Sequence, residues 1–275
     1  MKKTFLTLFT AIAATMAGFA QEAADSTSFI TLNDMVKREA ATKAQQENQA
    51  FHEKLWDRRS YLNISYVSAT LKSSELPTVG GTYSGEYKSN GGVNLQYGHT
   101  YDFHQKPIAD MVFIGLNYTG IDLSYASYSA DVPSPYYQPG TDTPNNAPWH
   151  NKKQTIDYGM ALGPAVTVYP FTTLGNKHTD KIRFQLYFQV GYNASLTILQ
   201  DGIVEQSKNK TKDMYAFAHG LSTKFGFSLT WDFVGLGYEI WNAPSYKNIY
   251  FDDLVDTGKM KTKVKSNRVF LQFRF

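Results

Sequence analysis

Apolar and polar residues alternate along three long stretches of the chain after Tyr61. In residues 181–196 one side carries Ile182, Phe184, Leu186, Phe188, Val190 and Tyr192, and the other side carries Arg183, Gln185, Tyr187, Gln189, Gly191 and Asn193. Residues 153–170 and 213–231 show the same alternation. Successive side chains of a β-strand point to opposite faces of the sheet, so this period of two predicts strands with one apolar face.

Similar segments predict an all-β fold with eight strands. We place these strands at 61–71, 92–103, 110–124, 153–169, 181–196, 213–230, 232–241 and 265–275. Short connections are predicted at 104–109, 170–180 and around Trp231. Long connections are predicted at 72–91, 125–152, 197–212 and 242–264. This alternation in length predicts an antiparallel up-and-down barrel with short periplasmic turns and long external loops.

The third predicted strand contains a shift in its apolar phase. Val112 and Tyr118 lie in one phase, whereas Ile121 and Tyr125 lie in the other. A β-bulge near Gly120 would produce the shift, because one extra residue exchanges the two faces. An end of the strand at this point would explain it equally well.

Alternation alone does not define which face of the barrel is inside, since a soluble lipocalin-type barrel has the same period with its apolar face inward. Here the apolar face carries bulky side chains, and the opposite face is rich in Gly, Ala and Ser. The charged residues on the small-residue face are Arg183, Lys224, Glu239, Arg268 and Arg274. A charge exposed to lipid would cost about 2–4 kcal/mol at the bilayer midplane, so the pattern predicts a transmembrane barrel with these charges inside.

The N-terminal 60 residues follow a different pattern. Residues 1–20 have a basic start, an apolar stretch and small residues before Gln21, which predicts a secretory signal peptide. Residues 21–60 predict a periplasmic helix or linker, because 35–58 are rich in Ala, Lys, Glu and Gln and contain no Gly or Pro. Its sparse apolar residues favour a solvated helix, and the alternative is docking under the barrel or binding a partner. The barrel is predicted to occupy 61–275.

Composition narrows the classes of function. Loss of Lys2 and Lys3 with the signal peptide leaves 25 of the 27 basic residues, against 24 acidic ones, so charge gives no support to a nucleic-acid partner. The sequence contains no cysteine, which excludes disulfides, thiolate metal sites and a cysteine nucleophile. The 19 tyrosines and 18 phenylalanines suit strands rather than helical bundles.

The sequence ends on VFLQFRF, in which Val269, Leu271 and Phe273 are in phase with Phe275. With the secretory start, eight strands and alternating loop lengths, this resembles the small eight-stranded Gram-negative outer-membrane barrels of the OmpA/OmpX type. The resemblance implies an outer-membrane location, contact with outer-membrane lipid, and a periplasmic N-terminal segment and C-terminus. It also implies that these four residues are an assembly signal for the outer-membrane assembly machinery. The predicted barrel is followed by no peptidoglycan-binding domain, so wall anchoring is not implied.

The inward charges predict a network inside the lumen, which in an eight-stranded barrel is only wide enough for side chains. Pairing around Trp231 places Lys224 nearly opposite Glu239, and level strand ends bring Arg268 close to Glu239. The predicted lumen charge network comprises Lys224, Glu239, Arg268 and Arg183. Its role is either neutral packing or a gate for small ions.

Catalytic and metal-binding patterns are weak. His219 and Ser222 lie on opposite faces of one strand, and His150 has no spacing to Ser134 or Asp142 that carries a mechanism. No zinc or calcium motif occurs. We therefore expect no catalytic residue, no metal site and no cofactor.

The second long loop is the strongest candidate for binding. It combines several prolines with Tyr136, Tyr137 and Trp149, and exposed aromatic residues on a stiff loop can anchor a surface ligand. Shielding of the barrel mouth is the alternative role. The sequence thus predicts a structural or surface-binding barrel; the alternative is a narrow porin-like channel for small solutes, and a lipid-modifying enzyme is a third class.

Overall fold

A computed structural model describes residues 32–78, 81–133, 148–172, 178–205, 210–250 and 261–275. The chain divides into two compact units, Met1–Glu53 and Lys54–Phe275. The predicted helix is present as α1, Leu32–Trp56, and residues 35–47 are exposed to solvent. No helix in the described ranges has the length and apolarity needed to cross a membrane.

The second unit contains eight antiparallel strands that close into a barrel in sequence order. Their bounds are β1 Ser60–Thr78, β2 Gly81–Asp102, β3 Val112–Pro133, β4 Pro148–Val168, β5 Ile182–Glu205, β6 Lys210–Trp231, β7 Val234–Tyr250 and β8 Lys261–Arg274. Each strand pairs with its neighbours in the sequence, and β1 pairs with β8. The predicted all-β, up-and-down architecture is confirmed.

The barrel has two different ends. The short-turn end carries Ser60, Phe275 and the connections after β2, β4 and β6. The last of these turns is Asp232-Phe233, where Asp232 has a positive φ of 58°. The Asp232 carboxylate is held by Arg58 and by Lys181, whose Nζ lies 3.0 Å from Oδ2. Two cations therefore fix the turn in a backbone conformation that favours glycine.

At the opposite end, the long-strand end, the predicted long loops are mostly strand. Pairing between β1 and β2 continues to Thr78 and Gly81, and pairing between β5 and β6 continues to Glu205 and Lys210. The predicted ends of β1 at 71 and of β5 at 196 are therefore wrong. The predicted starts of β2 at 92 and of β6 at 213 are wrong for the same reason. The periodic signal ends before the strands do, because outward residues such as Lys72 become polar once they no longer face lipid.

The outer surface carries a continuous apolar belt near the short-turn end. It includes exposed large hydrophobic residues on all eight strands, among them Ile64, Val93, Ile114, Tyr158, Leu186, Phe227, Leu236 and Val269. On β5 the exposed apolar positions run from Phe184 to Tyr192, whereas the strand itself has 24 residues. A bilayer is crossed by about 9–11 tilted residues, so roughly half of β5 extends beyond the belt.

The β-bulge at Gly120 is confirmed. Tyr97 pairs with Ile121 and Gly98 pairs with Thr119, which leaves Gly120 unpaired in the β2–β3 ladder. The extra residue exchanges the faces of β3, so that Asp122 is buried while Ile121 is exposed. The large apolar side chains of β3 therefore stay on the outer surface on both sides of the bulge.

Candidate functional site

The middle of the lumen contains two acidic and two basic side chains, which form the central charge cluster: Asp122, Lys224, Glu239 and Arg268. Each of these side chains is 1% exposed. They come from β3, β6, β7 and β8, so the cluster bridges the interior rather than following one strand pair. Its formal charges balance, as buried charges require.

Asp122 is the centre of the cluster. Arg268 Nη1 lies 3.1 Å from both carboxylate oxygens of Asp122, and Lys224 Nζ lies 2.5 Å from Oδ2. The Asn94 side-chain amide also donates to Oδ1 at 2.5 Å. Asp122 thus forms ion pairs with Lys224 and Arg268 and accepts a hydrogen bond from Asn94.

Glu239 accepts from three other strands. Arg268 Nη1 and Gln96 Nε2 donate to its Oε1 at 3.0 and 2.9 Å. The Tyr187 hydroxyl donates to Oε2 at 2.9 Å. Because β2 and β5 are not neighbours of β7 in the barrel, these bonds cross the lumen.

Polar side chains and the Arg274 guanidinium continue the network towards the short-turn end. Gln272 Nε2 donates to Asn63 Oδ1 at 3.0 Å, and Thr119 Oγ1 donates to Gln189 Oε1 at 3.1 Å. Arg274 donates through Nε to Gln272 and through Nη2 to Gln185. Side chains therefore fill the lumen on this side of the charges.

Aromatic and aliphatic residues occupy the lumen towards the long-strand end. Tyr87, Tyr128 and Trp241 are each 1% exposed and belong to one buried cluster with Leu71 and Val264. The Arg268 guanidinium lies 5.0 Å from the centre of the Trp241 ring. A cation over an aromatic face is stabilised electrostatically, so this layer packs directly on the central charge cluster.

The structure corrects the predicted charge network in two places. Arg268 contacts Glu239 as expected, but Lys224 contacts Asp122, because the register pairs Glu239 with Gly226. Arg183 is absent from the cluster, and its Nη1 donates to Arg58 O and to the Tyr169 hydroxyl near the short-turn end. Arg183 is the second residue of β5, at the short-turn end, whereas Lys224 lies seven residues before the end of β6, so the two side chains lie at different levels along the barrel axis.

Sequence reasoning missed Asp122. The signal was present, because the phase shift after Gly120 turns the even-numbered residues of β3 inward. Asp122 is the acidic residue on that inward face within 121–125. An acidic residue at an inward position directly after the bulge is therefore the sequence signal for the carboxylate that holds both cations.

Three aromatic residues were predicted to bind a ligand from the second long loop: Tyr136, Tyr137 and Trp149. Tyr136 and Tyr137 lie outside the described residues. Trp149 lies within β4, paired with Val132, rather than in a loop as predicted. Extension of the β3–β4 ladder to Pro133 and Pro148 accounts for this difference.

The closing strand follows the predicted faces. Val269, Leu271 and Phe275 are exposed and Phe273 is half-buried, while Phe270 and Arg274 are buried. Ser60 and Phe275 exchange two backbone hydrogen bonds of 3.1 and 3.2 Å at the β1–β8 seam. The Phe275 ring also stacks on Tyr97, with ring centres 6.3 Å apart.

One serine and histidine pair comes together that the sequence did not suggest. Ser60 Oγ lies 3.0 Å from Nδ1 of His99. In a catalytic triad the serine bonds Nε2 and an acid orients Nδ1, so the serine here occupies the position of the acid. Among the residues that the structure describes, no group of three or more His, Cys, Asp or Glu is placed to hold a metal ion.

Comparisons with known proteins identify no family: no protein-family model and none of the curated proteins matches the chain. Among solved structures, the attachment invasion locus protein Ail of Yersinia pestis, in complex with the heparin analogue sucrose octasulfate, is 13% identical. The match covers 79% of this chain and 99% of Ail, with a TM-score of 0.37. The outer membrane protein OprG of Pseudomonas aeruginosa is also 13% identical, with 79% and 96% covered and a TM-score of 0.37.

The outer membrane protease OmpT of Escherichia coli is 9% identical, with 79% of this chain and 97% of OmpT covered and a TM-score of 0.28. Similarities at this level do not identify a function. The strand pairing itself defines the fold. It is the eight-stranded architecture that the resemblance to OmpA/OmpX-type barrels predicts.

Proposed function

We propose that this protein is an integral outer-membrane β-barrel with a closed lumen that presents its long-strand end at the cell surface as a rigid structural or binding platform. The apolar belt supports the membrane assignment, because an exterior of this composition on all eight strands is stabilised by lipid rather than by water. The length of the strands beyond the belt supports a platform built from paired strands.

The observation that carries the proposal is the set of hydrogen bonds that cross the lumen. Asp122 on β3 binds Arg268 on β8, and Glu239 on β7 binds Gln96 on β2. An open channel of useful width would need these side chains to part, and each bond to a buried charged group is worth about 1.5–3 kcal/mol. The resting barrel therefore excludes solutes.

Planar-bilayer recording tests the closed lumen. The purified chain should insert without discrete conductance steps, and Glu239→Ala should behave in the same way. The second candidate is a narrow channel gated by Arg268, whose movement would part its contacts with both Asp122 and Glu239. Discrete steps in the wild type that Glu239→Ala enlarges would establish the gated channel and overturn the closed barrel.

Cysteine labelling tests the orientation, and the native sequence has no cysteine to interfere. Lys263→Cys places a thiol on an exposed residue at the long-strand end, and Gln105→Cys places one on an exposed turn at the other end. A membrane-impermeant maleimide should label only the first on intact cells and both after permeabilisation. Labelling of Gln105→Cys alone on intact cells would reverse the proposed orientation.

Complementation separates a binding platform from a purely structural barrel. In a deletion strain, a variant with residues 134–147 replaced by Gly and Ser should be compared with the wild type for detergent resistance and for surface attachment. A binding platform needs the native side chains of residues 134–147, so the variant should lose attachment while it restores detergent resistance. Full recovery of both properties would support a structural role alone.

The absence of catalysis is part of the proposal. It is supported by the arrangement of Ser60 on the wrong ring nitrogen of His99. Ser60→Ala should therefore leave any phenotype of the barrel unchanged. Loss of a lipid modification in this variant would instead establish an enzyme.

A further inference from the structure

Exposed lysines lie together on the outer surface of three adjacent strands, beyond the apolar belt towards the long-strand end. We name this group the lysine face: Lys72 on β1, Lys88 on β2, and Lys263 and Lys265 on β8. The residues next to them in the chain, such as Leu71 and Val264, are buried in the lumen. Because successive side chains of a strand point to opposite faces, the lysines point outward.

The strand register brings these lysines close to one another. Lys72 pairs directly with Lys263. Thr70 pairs with Lys265 on one side and with Lys88 on the other. Directly opposite residues have Cβ atoms about 4.5–5.5 Å apart, and like charges at such positions destabilise the sheet. The four ammonium groups therefore share one small patch of the surface, in which they repel one another.

One acidic side chain accompanies the lysine face in the described part of the chain. Glu86 Oε2 lies 2.6 Å from Lys72 Nζ, and both side chains are exposed to solvent. Lys88, Lys263 and Lys265 form no ion pair with any residue that the structure describes. The patch thus carries an excess of positive charge, and an anion from outside this part of the chain would relieve the repulsion.

The lysine face begins where the apolar belt ends. Tyr66 pairs with Val93 and with Val269, and these exposed side chains are the last large apolar ones on β1, β2 and β8 in this direction. A tilted strand crosses the bilayer core in about 9–11 residues. Counted back from the exposed Phe275, eleven residues end at Lys265. The headgroup layer therefore falls at the level of the lysine face.

We propose that the lysine face binds the phosphate groups of an anionic lipid in the outer leaflet, whose acyl chains lie on Tyr66, Val93 and Val269. This inference rests on the proposed membrane assignment and on the long-strand end being at the cell surface. Lysine suits this position, because its apolar stem can lie along the belt while its ammonium group reaches the headgroups. A lipid matches both the cations and the adjoining apolar side chains, whereas a soluble polyanion matches the cations alone.

The test uses the full mature chain folded in phosphatidylcholine vesicles. The vesicles contain either lipid A with its phosphates or lipid A from which a phosphatase has removed them. After extraction into a non-ionic detergent, native mass spectrometry counts the lipid A molecules that each barrel retains. The wild type should retain the phosphorylated lipid about tenfold or more strongly than the dephosphorylated one, and high salt should reduce this preference because it screens exposed charges.

Charge-matched variants locate the binding site. The first carries Lys72→Gln, Lys88→Gln, Lys263→Gln and Lys265→Gln together. It should retain the phosphorylated lipid about tenfold or more weakly, since each lysine near an anionic lipid surface strengthens binding about fivefold. The control removes four exposed lysines elsewhere and should bind as the wild type does: Lys37→Gln, Lys43→Gln, Lys54→Gln and Lys106→Gln.

A smaller variant, Lys263→Gln with Lys265→Gln, gives the same comparison if the fourfold variant fails to fold. Equal retention of the two lipids by the wild type, or equal losses in the lysine-face variant and its control, would overturn the proposal. Dextran sulfate is the probe for the other occupant, and its binding without any preference between the lipids would assign the patch to a soluble polyanion. Failure of the wild type to fold into phosphatidylcholine alone would contradict the membrane assignment itself.

Discussion

Asp122 and Arg268 are joined across the lumen: Arg268 Nη1 lies 3.1 Å from both oxygens of the Asp122 carboxylate, although strands β3 and β8 are not neighbours. The same nitrogen lies 3.0 Å from Glu239 Oε1. One guanidinium therefore connects both acids of the central charge cluster. Removal of either acid leaves a buried positive charge in excess.

Asp122→Asn should destabilise the folded barrel strongly. The substitution keeps the size of the side chain but leaves Lys224 and Arg268 with one carboxylate between them. Breaking a buried ion pair from one side costs about 3–5 kcal/mol. Urea titration of the barrel folded in lipid vesicles measures this loss in the free energy of unfolding.

The control for that variant is an exposed pair outside the apolar belt. Lys72 Nζ lies 2.6 Å from Glu86 Oε2, and this hydrogen bond lowers the pKa of the Glu86 carboxyl. Since solvent screens the pair, Glu86→Gln should leave the urea midpoint nearly unchanged. Equal shifts in Glu86→Gln and Asp122→Asn would contradict a special role for the buried cluster.

Removal of both partners should restore part of the lost stability. Asp122→Asn combined with Lys224→Met removes one anion and one cation, so Arg268 and Glu239 remain as a balanced pair. Replacement of buried ion pairs by groups of similar size is often neutral, whereas removal of one partner is not. A double-mutant cycle should give a favourable coupling of about 0.5–3 kcal/mol, and strictly additive losses would refute it.

Gly226→Ala should destabilise the barrel through overpacking. A Cβ built at Gly226 would lie 2.4 Å from the Tyr187 ring, and that ring is held by the bond from its hydroxyl to Glu239. Enlarging a filled interior costs about 1–3 kcal/mol. The matched control is Ser228→Ala on the same inward face, since the Ser228 hydroxyl has no hydrogen-bond partner in the described structure. A larger loss of stability in Ser228→Ala than in Gly226→Ala would contradict overpacking at Gly226.

Phe275→Ala should slow assembly in cells more than it lowers stability after refolding in vitro. We expect Phe275 to act in the assembly signal with Val269, Leu271 and Phe273, while its exposed ring contributes mainly its stacking on Tyr97. Pulse-chase labelling, with the folded barrel separated from the unfolded chain on gels of unheated samples, gives the assembly rate. Phe233→Ala removes another exposed ring near the short-turn end, and an equal delay in that variant would refute a dedicated signal.

The alternating residues predicted the barrel, its faces and the bulge, because lipid and lumen impose opposite demands on neighbouring positions. The strand extensions were not predicted, because they lie outside the lipid-facing part of the barrel. Outward residues there, such as Ser68 and Lys72, are polar, so the apolar alternation is lost. Which lumen side chains contact each other was harder to predict from the sequence. Lys224 faces Asp122 rather than Glu239 because stagger between strands decides the level of each side chain, and hydrophobic pattern does not specify stagger.

The pairing of Ser60 with Phe275 has a consequence for folding kinetics. Seven of the eight strand pairings join consecutive strands, and the β1–β8 seam joins segments separated by almost the entire barrel. Loop-closure entropy opposes such a contact until the intervening hairpins have formed. The seam is therefore the high-contact-order step, and its formation sets the time at which an open sheet becomes a closed barrel.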